Sequence, residues 1–250
     1  MKRVYGWKRD LPSQVPWFDH PLLVARTPDV VDNRASIKWV YDQLQEGSCT
    51  ANSAMGTNRF VRAVKKMPDF LGSRQFLYYV TRSLEGSTKS DSGATIADTV
   101  TAEVKFGICL ETLWSYSKAL TAKPSVTAYA DGLNHQVLIK QPVQQTQAAL
   151  EACLTARQPL HYGMTVYDSF ESNTVAKSGV VPLPKRSESA LGGHALWLHS
   201  YDRTKKLFYG QNSWGPQWGQ GKMGIFSIPY AYILDPDMAS DFWTVTDLEI

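Results

Sequence analysis

A cysteine, a histidine and an asparagine in this sequence stand in settings that suit nucleophilic catalysis. Cys49 comes at the start of a predicted helix, where free backbone N–H groups and the helix dipole lower the pKa of a thiol. His194 follows two glycines, and Asn212 begins a short polar and aromatic run. A thiolate attacks a carbonyl carbon, and a nearby imidazole returns the proton to the leaving amine. These residues therefore predict acyl-transfer chemistry with Cys49 as the nucleophile.

Two further residues, together with Asn212 and the backbone of Cys49, supply the supporting groups that this chemistry needs. The side-chain amide of Asn212 can fix the tautomer of the imidazole, and the indole of Trp214 can shield that hydrogen bond from water. The side-chain amide of Gln43 and the backbone N–H of Cys49 can bind the oxyanion. Each feature alone is usually structural, but their combination in this order predicts a complete catalytic site.

In order and spacing, these residues resemble the papain-like family of cysteine peptidases, which includes the cathepsins. Gln43 lies six residues before Cys49 and matches the family's oxyanion glutamine. His194 follows Cys49 at the expected interval, whereas Asn212 lies slightly beyond it. The NSWG run that begins at Asn212 also matches the family, and the resemblance spans about residues 28–250.

The resemblance also implies which residues bind substrate. Gly93 corresponds to the glycine whose backbone pairs with the substrate chain. The main specificity pocket accepts the side chain two residues before the cut, and its implied lining is Ala94, Gly163, Gly193 and Ala195. All four are small and none is charged. We therefore expect a roomy apolar pocket that prefers leucine, phenylalanine, valine or tyrosine.

Three positions depart from the pattern of the familiar members. Glu46 stands where those members have a disulfide-bonded cysteine, and Thr50 stands where they have an aromatic residue. Leu44 replaces the usual glycine after the oxyanion glutamine, and its side chain is expected to crowd the oxyanion loop. The run from Asp42 to Ala51, and Asp241-Phe242-Trp243 near the end of the sequence, resemble the disulfide-poor branch of the family seen in bacteria and viruses.

The elements that would position these residues divide the chain into two halves. Apolar residues at three- and four-residue steps predict helices over residues 48–66, 73–84, 93–106 and 143–156. After Pro159 the sequence changes to short aromatic and β-branched runs between turn residues, which predicts strands. The fold class is therefore α+β. The resemblance implies a papain-like fold, with a helical half, a β-barrel-like half and the active-site cleft between them.

The first 27 residues differ from the rest of the chain. Three prolines among aromatic residues predict an extended N-terminal strap over residues 1–27, followed by a catalytic domain over residues 28–250. Two placements of the strap remain open. It packs on the back of the domain, or Trp7 or Trp17 lies in the cleft and limits access to it.

Composition excludes several other classes of protein. The chain has 250 residues, 43% of them hydrophobic, and a net charge of +3, which is too small to favour nucleic-acid binding. It has no run of 18 apolar residues, so no membrane span is expected. Three cysteines without a CxxC pair argue against a zinc site or a disulfide scaffold.

We expect a monomer without metal or organic cofactor, acting on protein or peptide substrates. Few cysteines and no signal sequence favour the cytoplasm, and export of a trimmed precursor stays open.

Together these observations predict a cysteine endopeptidase. Cys49 as thiolate and His194 as imidazolium would cleave peptide bonds through a thioester acyl-enzyme. Two other functions stay open at this point. A transpeptidase or ligase on the same fold would use identical residues. A catalytically silent papain-fold binding protein would be consistent with Leu44 and with the strap.

Overall fold

The computed structural model describes residues 3–12, 15–18 and 27–249 of the chain. Residues 1–2, 13–14 and 19–26 of the predicted strap lie outside the described residues. Within those residues, no helix has the length and apolar character needed to cross a membrane.

Helices alternate with strands along most of the described chain. The helices are α1 (Cys49–Val64), α2 (Arg74–Leu84), α3 (Ile96–Lys105), α4 (Val126–Gly132), α5 (Gln147–Thr155), α6 (Asn173–Ser178) and α7 (Tyr230–Ile233). The strands are β1 (Trp7–Lys8), β2 (Val30–Val31), β3 (Ala94–Thr95), β4 (Val137–Pro142), β5 (Leu160–Tyr167), β6 (Ala190–Asp202), β7 (Leu207–Gln211), β8 (Ile225–Pro229) and β9 (Ala239–Leu248). The mixture is the predicted α+β class.

The predicted helices exist, but local hydrogen bonds shift where two of them begin. α3 begins at Ile96 rather than near residue 93, because the Thr95 side chain accepts a hydrogen bond from the Asp98 N–H and caps the helix. α5 begins at Gln147 rather than at residue 143, because Thr146 caps it in the same way. The residues between β4 and α5 stay extended instead.

Helix α1 is the central helix of the fold, and it packs against β6. Gly56 allows this close approach, because a Cβ atom there would lie 2.5 Å from Nε1 of Trp197 in β6. The glycine lowers the helix propensity of this segment, but the packing that it permits outweighs that cost. The first residue of α1 is Cys49, and β6 carries His194. The contact between these two elements therefore brings the two predicted catalytic residues to one region.

The strands of the second half form one large antiparallel sheet. Its order is β4-β9-β5-β6-β7-β8, and β2 adds to β6. Within the described residues the edge strands β4 and β8 do not pair with each other, so the sheet does not close into a barrel. The predicted division at Pro159 is also only approximate, because β4 precedes it and α6 follows it.

Apolar side chains form three clusters, and the third lies beneath the predicted cleft. The first cluster packs the sheet against α5 and α7, and the second packs α1 against α2. The third joins Cys49 and Ala195 to Ile96 of α3 and Trp243 of β9, and Trp7 packs against it. Burial of this apolar surface holds the two halves together at the place where catalysis is expected.

Residues 3–12, which we call the cleft segment, cross the molecule between the two halves. Strand β1 within it pairs in parallel with β3, so that Trp7 lies beside Ala94. The backbone N–H of Ala94 donates a hydrogen bond of 2.7 Å to the carbonyl oxygen of Gly6. This part of the predicted strap is therefore extended, and it lies in the cleft rather than on the back of the domain.

Candidate active site

Cys49 is the first residue of α1, and it is fully buried beneath the cleft segment. Burial raises the pKa of its thiol to about 11, because the thiolate has lost contact with water. The backbone N–H groups of Ala195, Gly6 and Thr50 oppose this rise, since they favour the thiolate. The thiol is therefore protonated near neutral pH while the cleft segment is docked.

His194 on β6 is also fully buried. Its Nε2 atom lies 2.9 Å from Oδ1 of Asn212, and its ring stacks on that of Trp214 with centroids 5.0 Å apart. Because an amide oxygen can only accept, Nε2 carries the proton in this hydrogen bond. Nδ1 makes no hydrogen bond within the described residues. The free nitrogen is thus the one available to exchange a proton with a nucleophile.

Burial lowers the pKa of His194 to about 4, although the hydrogen bond with Asn212 opposes the change. In the docked state His194 is therefore neutral at neutral pH, like the Cys49 thiol. Neutral partners cannot form the thiolate–imidazolium pair on which cysteine nucleophiles depend. Exposure of the site to water would favour both charged forms.

A chain of hydrogen bonds joins the histidine to the predicted oxyanion donor. Asn212 Oδ1 also accepts from the backbone N–H of Ser213 at 2.8 Å, and Ser213 Oγ donates to Oε1 of Gln43 at 2.8 Å. Because Ser213 holds the oxygen of the Gln43 side-chain amide, the Nε2 group of that amide points away from Ser213. Nε2 donates to Glu46 O at 2.9 Å and to Val4 O of the cleft segment at 3.3 Å. Gln43 thus presents a donor to the cleft.

The cleft segment also covers the side of the site that carries Trp214. The guanidinium carbon of Arg3 lies 4.5 Å from the centroid of the Trp214 ring. The ring of Tyr5 lies 6.2 Å from that of His194, and its hydroxyl donates to Glu171. The segment therefore contacts Cys49, His194 and Trp214 in one continuous stretch.

Trp7 fills a pocket whose walls are two glycines of neighbouring strands. A Cβ atom at Gly193 would lie 2.6 Å from Cε3 of Trp7, and one at Gly163 would overlap the indole. Ala94 lies beside Trp7 in the strand pairing, and Ala195 belongs to the buried cluster beneath it. We call this space the Trp7 pocket. Of the four residues expected to form the specificity pocket, Ala94, Gly163 and Gly193 thus lie around one side chain, and Ala195 belongs to the cluster on which that side chain packs.

Gly93 lies against the cleft segment, but its N–H does not bond to it. A Cβ atom at Gly93 would overlap the carbonyl oxygen of Gly6, and the Gly93 N–H donates to Tyr78 Oη at 3.0 Å. The hydrogen bond to Gly6 comes from Ala94 instead.

Trp17, the other aromatic candidate in the strap, is 53% exposed and borders a groove beside β9.

Sequence analysis missed one residue of the Trp7 pocket. Asp241 of β9 accepts a hydrogen bond of 3.2 Å from Nε1 of Trp7 and one of 2.8 Å from the backbone N–H of Asp10. Burial raises the pKa of Asp241. The bulge in β9 that directs this side chain depends on tertiary pairing, so the local sequence carried no signal for it.

The loop before Cys49 is held by hydrogen bonds where familiar members of the resembled family have a disulfide. The carboxylate of Asp91 accepts from the Gly47 N–H at 2.9 Å, and from the hydroxyl of Tyr78 at 2.5 Å. Glu46 Oε1 accepts from Gln75 Nε2 at 3.3 Å. All three cysteines of the chain are free, and Cys109 and Cys153 are buried in the apolar clusters.

The sequence predicted that Leu44 would crowd the oxyanion loop, and the structure shows that it does not. Its side chain is 57% exposed, and the hydrogen bonds of Gln43 are intact beside it. The cost of the substitution lies in the backbone, because Leu44 has a φ of 56°, which a residue with a side chain rarely adopts.

Within the described residues, no group of three or more histidine, cysteine or carboxylate side chains is arranged to hold a metal ion.

Comparisons with known proteins agree on one family. A model of the papain family of cysteine proteases matches residues 26–231. An uncharacterised peptidase C1-like protein of Acanthamoeba polyphaga mimivirus is 33% identical over 217 residues, which cover 83% of this chain and 69% of that protein.

Solved structures show the same relationship. Xylellain, a cysteine protease from Xylella fastidiosa, is 32% identical, with a TM-score of 0.90 over 98% of this chain and 97% of that one. Procathepsin B S9 from Trypanosoma congolense shares the fold, with a TM-score of 0.77, 15% identity, and coverage of 98% of this chain and 86% of that one.

Proposed function

Because the chain belongs to the papain family of cysteine proteases, we propose that it is an endopeptidase in which Cys49 is the nucleophile and His194 the general acid and base. The observation that carries this proposal is the hydrogen bond from His194 Nε2 to Asn212 Oδ1 at 2.9 Å. It leaves Nδ1 as the nitrogen for the thiol proton. The backbone N–H of Ala195, the next residue, favours the Cys49 thiolate.

The proposed reaction proceeds in two halves. The Cys49 thiol transfers its proton to Nδ1 of His194, and the thiolate attacks the carbonyl carbon of the peptide bond. Gln43 Nε2 and the backbone N–H of Cys49 stabilise the negative charge on the carbonyl oxygen. His194 protonates the leaving amine, which departs and leaves a thioester. A water molecule then gives a proton to His194 and attacks the carbonyl carbon of the thioester. The carbon–sulfur bond breaks, the acid product leaves, and His194 returns its proton to the Cys49 sulfur.

We further propose that an extended peptide substrate takes the place of the cleft segment. The support is that this segment already uses the groups a peptide needs: Gln43 donates to Val4 O, and Ala94 donates to Gly6 O. The Trp7 pocket would then receive the side chain two residues before the cut. Its walls at Gly163 and Gly193 accommodate an indole, so large side chains with an apolar body are preferred.

The strap is proposed to be an inhibitory element ahead of a catalytic domain over residues 28–250. Two observations support this role. The cleft segment occupies donors that a substrate would use, and in this docked state Cys49 and His194 are both buried and neutral. An active enzyme therefore requires displacement of the segment.

Gly6 offers a way to open the cleft without shortening the chain. A Cβ atom at Gly6 would overlap the carbonyl oxygen of Gly47, a backbone atom that cannot move aside like a flexible side chain. The substitution Gly6→Ala should therefore dislodge the cleft segment without touching a catalytic group. Leu11→Ala is the matched control, because Leu11 lies in the same segment with its side chain 84% exposed.

The test is hydrolysis of a fluorogenic peptide library by the Gly6→Ala protein. We expect turnover that disappears in Gly6→Ala/Cys49→Ala. No turnover, together with no acylation of Cys49, would contradict the proposal and favour a catalytically silent binding protein. Products joined to an added amine, in preference to hydrolysed ones, would favour a transpeptidase or ligase.

A further inference from the structure

One peptide group in the loop before Cys49 is held by hydrogen bonds on both of its sides. Its carbonyl oxygen belongs to Glu46 and accepts from Nε2 of Gln43, the proposed oxyanion donor, at 2.9 Å. Its N–H belongs to Gly47 and donates to the two oxygens of Asp91, at 2.9 and 3.1 Å. Because a trans peptide group is one rigid plane, the Asp91 carboxylate fixes the direction of the carbonyl that holds the Gln43 amide.

The same carboxylate is bonded to a tyrosine of α2. Oη of Tyr78 donates to Oδ1 of Asp91 at 2.5 Å and accepts from the Gly93 N–H at 3.0 Å. Burial and the hydrogen bond to Asp91 raise the pKa of the Tyr78 hydroxyl, so the hydroxyl keeps the proton that it donates. Gly93 directly precedes β3. Asp91 therefore joins the oxyanion loop to the backbone at the start of that strand.

A buried arginine restrains the backbone that carries Asp91. Arg82 of α2 is fully buried, and its guanidinium donates to Ser90 O at 2.6 Å and to Thr88 O at 3.4 Å. The same guanidinium lies over the ring of Tyr78, with its carbon 4.1 Å from the ring centroid. Because both the residue before Asp91 and the ring that binds Asp91 are restrained, the carboxylate is a fixed point of attachment for the oxyanion loop.

We propose that Asp91 is a positioning residue for the reaction, which holds the side-chain amide of Gln43 in place through the peptide group between Glu46 and Gly47. This inference rests on the proposed function. Ser213 holds only the oxygen of the Gln43 amide, so loss of Asp91 would free the peptide group that holds its nitrogen. The effect of Asp91 on catalysis should therefore depend on the presence of Gln43.

The test is a double-mutant cycle on kcat in the Gly6→Ala protein, in which Asp91→Ala is introduced with Gln43 present and again with Gln43→Ala. With Gln43 present, we expect Asp91→Ala to lower kcat about tenfold to 100-fold, because a misplaced catalytic donor slows the chemical step. With Gln43→Ala, it should lower kcat by less than about threefold, because the group that it positions is gone. Equal factors in the two backgrounds, or no fall in the first, would overturn the proposal.

Asp131→Ala is the matched control, because the Asp131 carboxylate also accepts from a backbone N–H, that of Leu110 at 2.8 Å, but lies in α4. It should leave kcat within about threefold of the Gly6→Ala protein. Urea denaturation measures the stability lost in each variant, and an equal fall of kcat in both would contradict the role of Asp91. If Asp91→Ala does not fold, Asp91→Asn, which retains one acceptor oxygen, takes its place, and unequal factors in the two backgrounds are again required.

Failure of the proposed function would be recognised separately. If no peptide is hydrolysed, the side-chain amide signals of Gln43 are followed by nitrogen–proton NMR in the Gly6→Ala protein, where their loss in Gln43→Ala assigns them. A change of these signals in Asp91→Ala, without one in Asp131→Ala, would support the positioning of Gln43 even without catalysis. Unchanged signals in Asp91→Ala would overturn it.

Discussion

The side-chain amide of Gln43 donates a hydrogen bond of 3.3 Å to the carbonyl oxygen of Val4. This amide is the proposed donor to the oxyanion, so the cleft segment occupies a group that the reaction needs. Ser213 Oγ holds the oxygen of the same amide at 2.8 Å, which keeps the donor directed into the cleft. The docked segment and a reacting peptide therefore compete for one donor.

Removal of that donor should slow the chemical step more than it weakens substrate binding. We expect Gln43→Ala, in the Gly6→Ala protein, to lower kcat by about 100-fold to 1000-fold with a smaller change in KM, because the donor acts on charge that develops in the transition state. Steady-state kinetics on one peptide measures both constants.

Gln45→Ala is the control for this change, since Gln45 is an exposed glutamine of the same loop. It should leave kcat within about threefold of the Gly6→Ala protein. A fall in kcat/KM caused only by a higher KM in Gln43→Ala would contradict the role as oxyanion donor.

Docking of the cleft segment should weaken as the pH rises from 4 to 7. In the docked segment, burial and the neighbouring Asp241 raise the pKa of Asp10 from its ordinary value of 3.8 to about 7. A group whose pKa is raised on docking stabilises the docked state fully below its free pKa, and that contribution is lost as the pH rises through the docked pKa. The cleft should therefore open with increasing pH over this range.

The groups around Asp10 determine the sign of this effect. Its carboxylate accepts from the Ala97 N–H at 3.0 Å and from Trp243 Nε1 at 2.8 Å, and both bonds favour the charged form. Burial and Asp241 outweigh them. Lys140 interacts with Asp10 as a cation, and burial lowers the pKa of Lys140 itself. The carboxyl groups of Asp10 and Asp241 therefore favour docking of the cleft segment when the pair holds one proton.

The measurement is the rate at which an epoxysuccinyl inhibitor modifies Cys49 between pH 4 and 8, divided by the rate for the Gly6→Ala protein at each pH. The division removes the ionisation of the thiol itself. We expect this ratio to rise across the interval in the unaltered chain, and to be flatter in Asp10→Asn. A ratio that falls with increasing pH would show that another group controls docking.

Leu44 should be a site where glycine stabilises the protein. Its φ of 56° costs a residue with a side chain about 1–2 kcal/mol, and glycine avoids that cost but has more freedom in the unfolded chain. We expect Leu44→Gly to raise the free energy of unfolding by about 0.5–1 kcal/mol, measured by urea denaturation. Leu44→Ala retains the strained φ and should give no gain, so an equal gain in both variants would point to the exposed side chain instead.

The residues of the proposed catalytic site could be recognised in the sequence because their signals are local. Cys49 at a helix start, and the run that begins at Asn212, each carry a recognisable pattern, and the order of the motifs places them on one fold. The family that this order indicated is confirmed by the comparisons. Helix α1 was predicted within two residues at each end, since its apolar positions follow one period.

The positions of the cleft segment and of Asp241 could not be predicted in the same way. Trp7 docks between Gly163 and Gly193, which are far away in sequence and become walls only when β5 and β6 pair. Asp241 reaches the pocket because β9 bulges against β5, a consequence of register rather than of local composition. Strand β4 was missed because its exposed Leu138 and Ile139 break the alternation of a half-buried strand.

The central claim is that an assembled Cys49 site lies closed beneath the cleft segment, and one measurement tests it most directly. The second-order rate constant for modification of Cys49 by an epoxysuccinyl inhibitor is determined by intact mass at pH 6, in the unaltered chain, Gly6→Ala and Leu11→Ala. We predict a rate at least about tenfold higher in Gly6→Ala than in the other two, which should be equal, with no modification in Gly6→Ala/Cys49→Ala. Equal rates in all three proteins would show that the segment does not restrict the site. No modification in any of them would contradict the assembled nucleophile itself.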